Sequence, residues 1–294
     1  VSHLTEVLHQ SDQMLRELTN KNLTYLHIWG ENLQNISGED EIRDYIKKAQ
    51  EDAGFLEFFF LSSDGDYKMA TGETGYLGLQ ENFENKIQQG NDVITNAVVP
   101  GKSQMLVFAS PKAHGTYQDF EYDAIAIAYE NADIVNVLDI SAFNGNAKSY
   151  VVHPDGRVVV DHSLESWGTA YNFLGVLREH SDMSEKEILE LSEKFKEGHT
   201  DAMLVNLDGS NYYLVYEKSD IQDWVFLGLV QADIVNASMN NLQFTTMLLV
   251  GAVVLCIAAF FISLIIQKNR KNLRRKDVEI RYRDELFQKL SMNV

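Results

Sequence analysis

The chain of 294 residues contains one cysteine, Cys256, and only three prolines. A lone thiol cannot close an intramolecular disulfide, which excludes small stapled secreted scaffolds and argues against a eukaryotic receptor ectodomain. Scarce proline, with 45% hydrophobic and 23% charged residues, excludes collagen-like and wholly disordered chains. Basic residues are few where the chain is longest. Residues 1–243 hold 16 Lys and Arg against 39 Asp and Glu. Such an acidic surface repels phosphate backbones, so no nucleic-acid partner is expected. Catalytic signatures are missing as well, with no HExxH, GxSxG or CxxC. Gly101-Lys102-Ser103 looks like the end of a P-loop, but Asn96 stands where its leading glycine belongs. His153 and His162 flank one expected hairpin, with no Cys and no tight His/carboxylate cluster to make a metal site. Asp64-Gly65-Asp66 lacks the other ligands of a calcium loop and reads as a solvated turn. No metal and no cofactor are expected.

One long apolar run sets the topology. Residues 244–266 carry no charge. As a helix they would span roughly 35 Å, enough for a hydrocarbon core of about 30 Å. Core helices of soluble proteins rarely run this long without a charge. The run is followed by QKNRKNLRRK, with six basic residues and no acid. The positive-inside rule puts that end in the cytoplasm and residues 1–243 on the outer side of the membrane. Leu4, Val7, Leu8, Met14, Leu15 and Leu18 recur at helical spacing from the first residues. An exported domain that opens in a helix leads us to expect an upstream membrane helix. Residues 267–294 are too few for an enzyme domain and are expected to form a cytoplasmic signalling helix, so this fragment is not expected to be an enzyme.

The outer region echoes itself. FFFLSSDGDYKMA (58–70) and SYVVHPDGRVVVD (149–161) each break an apolar run with Asp-Gly, a hairpin signal. The pentapeptide ADIVN occurs at 132–136 and 232–236, each time after a strand-like run. Two echoes in the same order predict a duplicated module. Asp133 and Asp233 are expected to cap following helices, and Ser37 a helix over 39–51. The first module is expected to have strands at 55–61, 67–70, 104–110 and 121–130 and a helix at 80–89 ended by Gly90. The second has expected strands at 149–153, 157–161, 202–207, 211–217 and 224–230, with helices near 171–180 and 185–197. Ser184 and Glu187 form a capping box for the last helix and Gly198 ends it. The fold class is α+β. A helical stalk occupies 1–53, the modules 54–146 and 147–232, and a helix over 233–266 contains the membrane span at 244–266.

A long N-terminal helix, two tandem modules and a membrane helix, with the stretches YVVHPDGRVVVD and DWVFLGLVQADIV, resemble the double Cache sensor family of bacterial receptors. The tail RYRDELFQKLSMNV is similar to the linker before the cytoplasmic part of membrane histidine kinases. The resemblance implies PAS-like modules with antiparallel sheets and a small-molecule ligand in the membrane-distal module. It also implies signalling to a histidine kinase. The apolar stripe of the N-terminal helix is longer than one module needs, so a parallel homodimer through that helix is expected. A diguanylate cyclase or chemoreceptor output is the nearest alternative, and a membrane-anchored extracellular enzyme or adhesin the alternative from another class. The family's amino-acid binders carry Arg, Trp and Tyr on a pocket helix, whereas ENFENKIQQGNDVITNAVV has no Arg or Trp. Asp139 matches the position of the family's amine-binding Asp.

Aromatic residues concentrate in the first module. Tyr67, Tyr76, Phe83, Phe108, Tyr122 and Tyr129 fall on its strands and inserted helix. Ligand pockets are mostly apolar with a few polar groups, which tyrosine supplies, although aromatic residues also fill cores. Tyr67, Tyr76, Phe108, Tyr122, Tyr129 and Asp139 are the expected ligand contacts.

Overall fold

A computed structural model describes residues 2–78, 83–98, 104–138, 147–161, 172–236, 247–268, 270 and 281. The chain divides into two compact units, Val1–Val235 and Asn236–Val294. Helix α1 (Ser2–Leu33) opens the first unit. Its stripe Leu4, Leu8, Leu15, Leu26, Trp29 and Leu33 is buried. These residues recur every three to four positions and so lie on one helical face. Helix α2 (Glu39–Ala53) follows. The expected cap at Ser37 is not formed. The N-cap is Gly38 with no side-chain bond, and Glu39, Asp40 and Glu41 supply negative charge to the first turn instead.

The first sheet is built from β1 (Glu57–Leu61), β2 (Asp66–Met69), β3 (Thr74–Tyr76), β4 (Val93–Val98), β5 (Gln104–Ser110) and β8 (Ala124–Glu130). Its order is β3-β2-β1-β8-β5-β4 and its pairings are antiparallel. Helix α3 (Phe83–Gln88) precedes β4, and β6 (Gly115–Tyr117) and β7 (Phe120–Tyr122) form a separate hairpin. Strand β4 corrects the expected set: VITNAV alternates too weakly to stand out, yet its Val93, Thr95 and Ala97 join the buried face. The expected strand 121–130 is broken at Asp123, whose carboxylate accepts a hydrogen bond from the Ser63 amide.

Helix α4 (Asn131–Leu138) leads on to the second sheet. That sheet contains β9 (Ala147–Val152), β10 (Val158–Asp161), β11 (Asp201–Leu207), β12 (Ser210–Lys218) and β13 (Val225–Gln231). Helices α5 (Phe173–His180) and α6 (Glu185–Glu197) lie between β10 and β11. The order is β10-β9-β13-β12-β11. Counting strands within each repeat and setting β3 aside, both sheets read 2-1-5-4-3. The Asp-Gly pairs turn β1 into β2 and β9 into β10, with Gly65 and Gly156 at positive φ. A side chain at Gly156 would also collide with Leu174 and Asn172. The Ser184–Glu187 capping box and the left-handed Gly198 are present as expected. Asp133 and Asp233 lie within the first turn of their helical segments, which begin at Asn131 and at 232, so neither is the N-cap.

Helix α1 packs on both sheets. Leu4 sits on Gly228 of β13, where an added Cβ would meet the Leu4 side chain at 3.1 Å. Asn22 accepts a hydrogen bond from Tyr129 of β8 at 2.9 Å. The second unit contains α7 (Met247–Lys268), an apolar helix long enough to cross a membrane. It covers most of the expected span 244–266.

Candidate functional site

Strand alternation gives the first sheet two distinct faces. Phe58, Phe60, Leu106, Phe108, Ile125, Ile127 and Tyr129 share one buried cluster with α1. Phe59, Leu61, Tyr67, Met69, Val93, Ala97, Met105, Val107, Ala109, Ala124, Ala126 and Ala128 share another with Leu77 and with Phe83 and Ile87 of α3. The second cluster has a floor of small side chains. The register puts Ala126 between Phe59 and Ala109, and Ala128 beside Val107. Thr95, also buried, lies opposite Val107. Tyr67 adds a phenol to this apolar cluster, and alternation turns the half-buried Glu57 of β1 and Glu130 of β8 toward the same face. Tyr67 stands edge-on to Phe59 at 4.9 Å. Its ring lies over Gly75, where an added Cβ would fall 2.5 Å from the phenolic oxygen.

The matching face of the second sheet is filled. Tyr150, Val152, Leu214, Tyr216, Val225, Leu227 and Leu229 pack against Phe173, Leu174 and Leu177 of α5 and Ile188, Leu191 and Phe195 of α6. Leu227, between Tyr150 and Tyr216, occupies the place that Ala126 holds in the first sheet.

The expected ligand contacts do not converge. Tyr67 lies on the alanine face. Phe108, Tyr122 and Tyr129 belong to the cluster of the opposite face, and Tyr76 on edge strand β3 is 57% exposed. Asp139 lies outside the described residues. Tyr129 is held by Asn22 and by the Ala53 carbonyl, and burial pushes its pKa up to about 12. These bonds make it a strut between α1, α2 and β8. The alanines were overlooked because alanine carries no chemistry of its own. Their signal was the spacing of small residues in AIAIAYE (124–130).

On the α1 side lies a cavity of about 260 Å³. It is lined by Leu33, Gln34, Ile36, Ile42, Phe60, His114, Gly115, Thr116, Tyr117 and Tyr122. Phe60 stacks on Tyr117 at 4.3 Å and tilts against Tyr122 at 5.0 Å. The Tyr117 hydroxyl donates to the Ala70 carbonyl, and burial raises the Tyr122 pKa.

Polar bonds tie the first sheet to the second. Asn96 of β4 and Gln104, at the start of β5, both donate to the Val158 carbonyl of β10, at 3.2 and 3.1 Å. Lys86 of α3 donates to Gln222 at 2.6 Å. Gln222 and Asp223 adopt positive φ, an uncommon conformation for residues other than glycine. Nearby, Trp224 is fully buried and stands perpendicular to His153 at 6.2 Å. Neither the Trp224 Nε1 nor the His153 Nε2 meets a partner among the described residues. Burial first, then Arg157 and Lys86, lower the His153 pKa, while Asp155 opposes them. His162 lies outside the described residues, and no metal-ligating cluster occurs among those described.

No family profile matches the chain, and no curated protein matches it in sequence. Solved structures do match. One is the extracellular domain of mmHK1S-Z3, assigned as a histidine kinase, at 13% identity and TM-score 0.55, covering 82% of this chain and 97% of that one. Another is the ligand-binding domain of the Pseudomonas aeruginosa amino acid chemoreceptor PctB with L-Arg, at 15% identity and TM-score 0.57, covering 83% and 92%. A third is the sensory domain of the Campylobacter jejuni chemoreceptor Tlp3 with isoleucine, at 9% identity and TM-score 0.50, covering 80% and 94%. The chain therefore shares the fold of extracellular sensor domains, as the double Cache resemblance implied.

Proposed function

We propose that residues 1–243 are the extracytoplasmic sensor of a bacterial membrane receptor and that its small-molecule ligand binds over the alanine floor of the first sheet. The observation that carries this reading is the contrast between Ala124, Ala126 and Ala128 on β8 and Val225, Leu227 and Leu229 on β13. Small side chains on a central strand leave room above the sheet, whereas large ones close it. Buried apolar walls with few polar groups suit a small ligand. PctB and Tlp3, which share the fold, hold L-Arg and isoleucine. The apolar floor favours a ligand with a substantial apolar part.

The second sheet then acts as the relay. Lys86, Asn96 and Gln104 reach it directly from elements beside the alanine face. A ligand that moved α3 or β4 would be felt at Gln222 and Val158. Such coupling requires that the ligand bind two arrangements with different affinity. The basic residues after α7 put that end in the cytoplasm, where a histidine kinase is the favoured output. The same reading pairs two chains through α1, whose exposed Met14 and Ile28 lie two heptads apart.

A thermal-shift screen of small metabolites on the full chain in nanodiscs tests the assignment. A ligand at a hundredfold excess over its Kd raises stability by about 2.7 kcal/mol. Hits should be lost in Ala126→Leu and Tyr67→Ala and kept in Tyr212→Ala. Loss in Tyr212→Ala alone would make the second sheet the sensor.

A further inference from the structure

We propose that the junction between the two sheets senses protons: protonation of His153 releases the turn 219–224 from helix α3 and loosens the first sheet from the second. This input is separate from the ligand over the alanine floor. It rests on the proposed function only in that residues 1–243 face the outside, which makes external acid the stimulus.

The turn is held in an uncommon shape. The Trp224 amide donates to the Ile221 carbonyl at 3.0 Å, and the Ser219 amide to the Trp224 carbonyl at 2.7 Å. Between them Gln222 and Asp223 have φ of 52° and 59°, a region that is costly for residues other than glycine and persists only where neighbours hold it. The neighbours come from three elements. Lys86 of α3 donates to Gln222, Lys218 of β12 pairs with Asp223 at 3.2 Å, and Asp12 and Arg16 of α1 bond Ser219 and Asp220. The Lys86 bond comes from the helix that covers the alanine face.

His153 lies against this turn, its ring perpendicular to the fully buried Trp224. Its backbone is fixed in the β9–β10 hairpin, where the His153 amide donates to the Arg157 carbonyl and the Gly156 amide to the His153 carbonyl. His153 Nε2 and Trp224 Nε1 are buried without partners among the described residues. The charges that act on the ring are Arg157 and Asp155 of the same hairpin and Lys86 of α3. Asp223 is already paired with Lys218, and Asp12 and Asp220 with Arg16. A neutral imidazole fits such a place. An imidazolium would bury a charge with no acceptor at Nε2, beside two cations and one carboxylate that Arg157 already holds at 2.7 Å. Burial first, and Arg157 and Lys86 with it, accordingly keep the folded pKa below the ordinary value. In water the ring has that ordinary value, near 6.5, so the proton binds the opened junction more tightly and acid favours opening. The hairpin fixes His153, so the strained turn is the part that yields. Trp224 leads directly into β13, the central strand of the second sheet.

The reporter is Trp224 itself, in the full chain in detergent micelles with the other two tryptophans changed, Trp29→Phe and Trp167→Phe. An imidazolium quenches indole emission, and water shifts it to the red. A reversible quench and red shift are expected as pH falls below about 6.5, with far-UV circular dichroism unchanged. His153→Gln should abolish the step. Lys86→Met, which removes both a cation and a tie, should move its midpoint up toward the ordinary value. In the unaltered chain, amide exchange over 219–224, corrected for its intrinsic pH dependence, should quicken through the same step, a readout free of the Phe substitutions. No step, a step kept in His153→Gln, or a midpoint unmoved in Lys86→Met would overturn the proposal. So would a step without faster exchange over 219–224, or one accompanied by loss of helical signal.

Discussion

The two sheets of the first unit share a strand order but differ in the strand at their centre. Strand β8 presents Ala124, Ala126 and Ala128 to one face, whereas β13 presents Val225, Leu227 and Leu229. Two helices with seven buried apolar side chains cover β13, as a core demands. On the other side of each sheet the pattern is shared, since both contribute to the cluster that buries α1. The stalk-facing surfaces of the two sheets are thus alike, and the opposite faces differ. A sheet that must only be stable fills its face. A sheet that holds a ligand leaves part of that volume to the ligand.

The largest effect expected of a single change is in the second sheet. Leu227→Ala should cost about 2–5 kcal/mol in denaturant unfolding, because it opens a cavity under α5 and α6. A loss below 1 kcal/mol would mean that this face is less tightly filled than its packing implies. The reciprocal change, Ala126→Leu, should cost less than about 1 kcal/mol if, as proposed, the volume above Ala126 belongs to a ligand. In a filled core the same insertion costs about 1–3 kcal/mol, and a value in that range would erase the contrast between the sheets.

The smallest effect concerns pH at the junction of α3 with the second sheet. His153 has a lowered pKa in the folded chain, so the unfolded chain binds its proton first as pH falls below the ordinary value near 6.5. Stability should therefore drop as pH falls from about 7 toward the folded value, and level off below it. His153→Gln should flatten that part of the urea-midpoint profile. An identical profile in the variant would show that His153 is not set by burial against Trp224.

Much of the architecture could be read from residue patterns, and the exceptions have physical causes. The Asp-Gly hairpins and the Ser184–Glu187 box depend on local chemistry, so they were correctly located. The copies of ADIVN are 100 residues apart, yet pairing puts Phe59 against Ala126 and Tyr150 against Leu227, so the matching strand positions are 101 apart. One residue of slip exchanges the faces of a strand, so the pentapeptide alone would have matched Ala126 with Phe226. Tyrosines drew attention as ligand contacts, but which face each one occupies depends on register. Tyr67 pairs with β1 inside the first sheet, whereas Tyr122 pairs with Gly115 in the separate β6–β7 hairpin, and the two end in different clusters. The proposed floor is illegible for a different reason: a site defined by volume is marked by small residues rather than by reactive ones.

Hydrogen exchange on the full chain, with and without a stabilising ligand, tests the central claim most directly. Binding over the alanine floor predicts ligand-dependent protection in 83–88, 93–98 and 124–130, with weaker protection at 219–224 through Lys86 and Gln222. Protection confined to 173–197 and 225–231 would put the ligand on the second sheet and contradict the account.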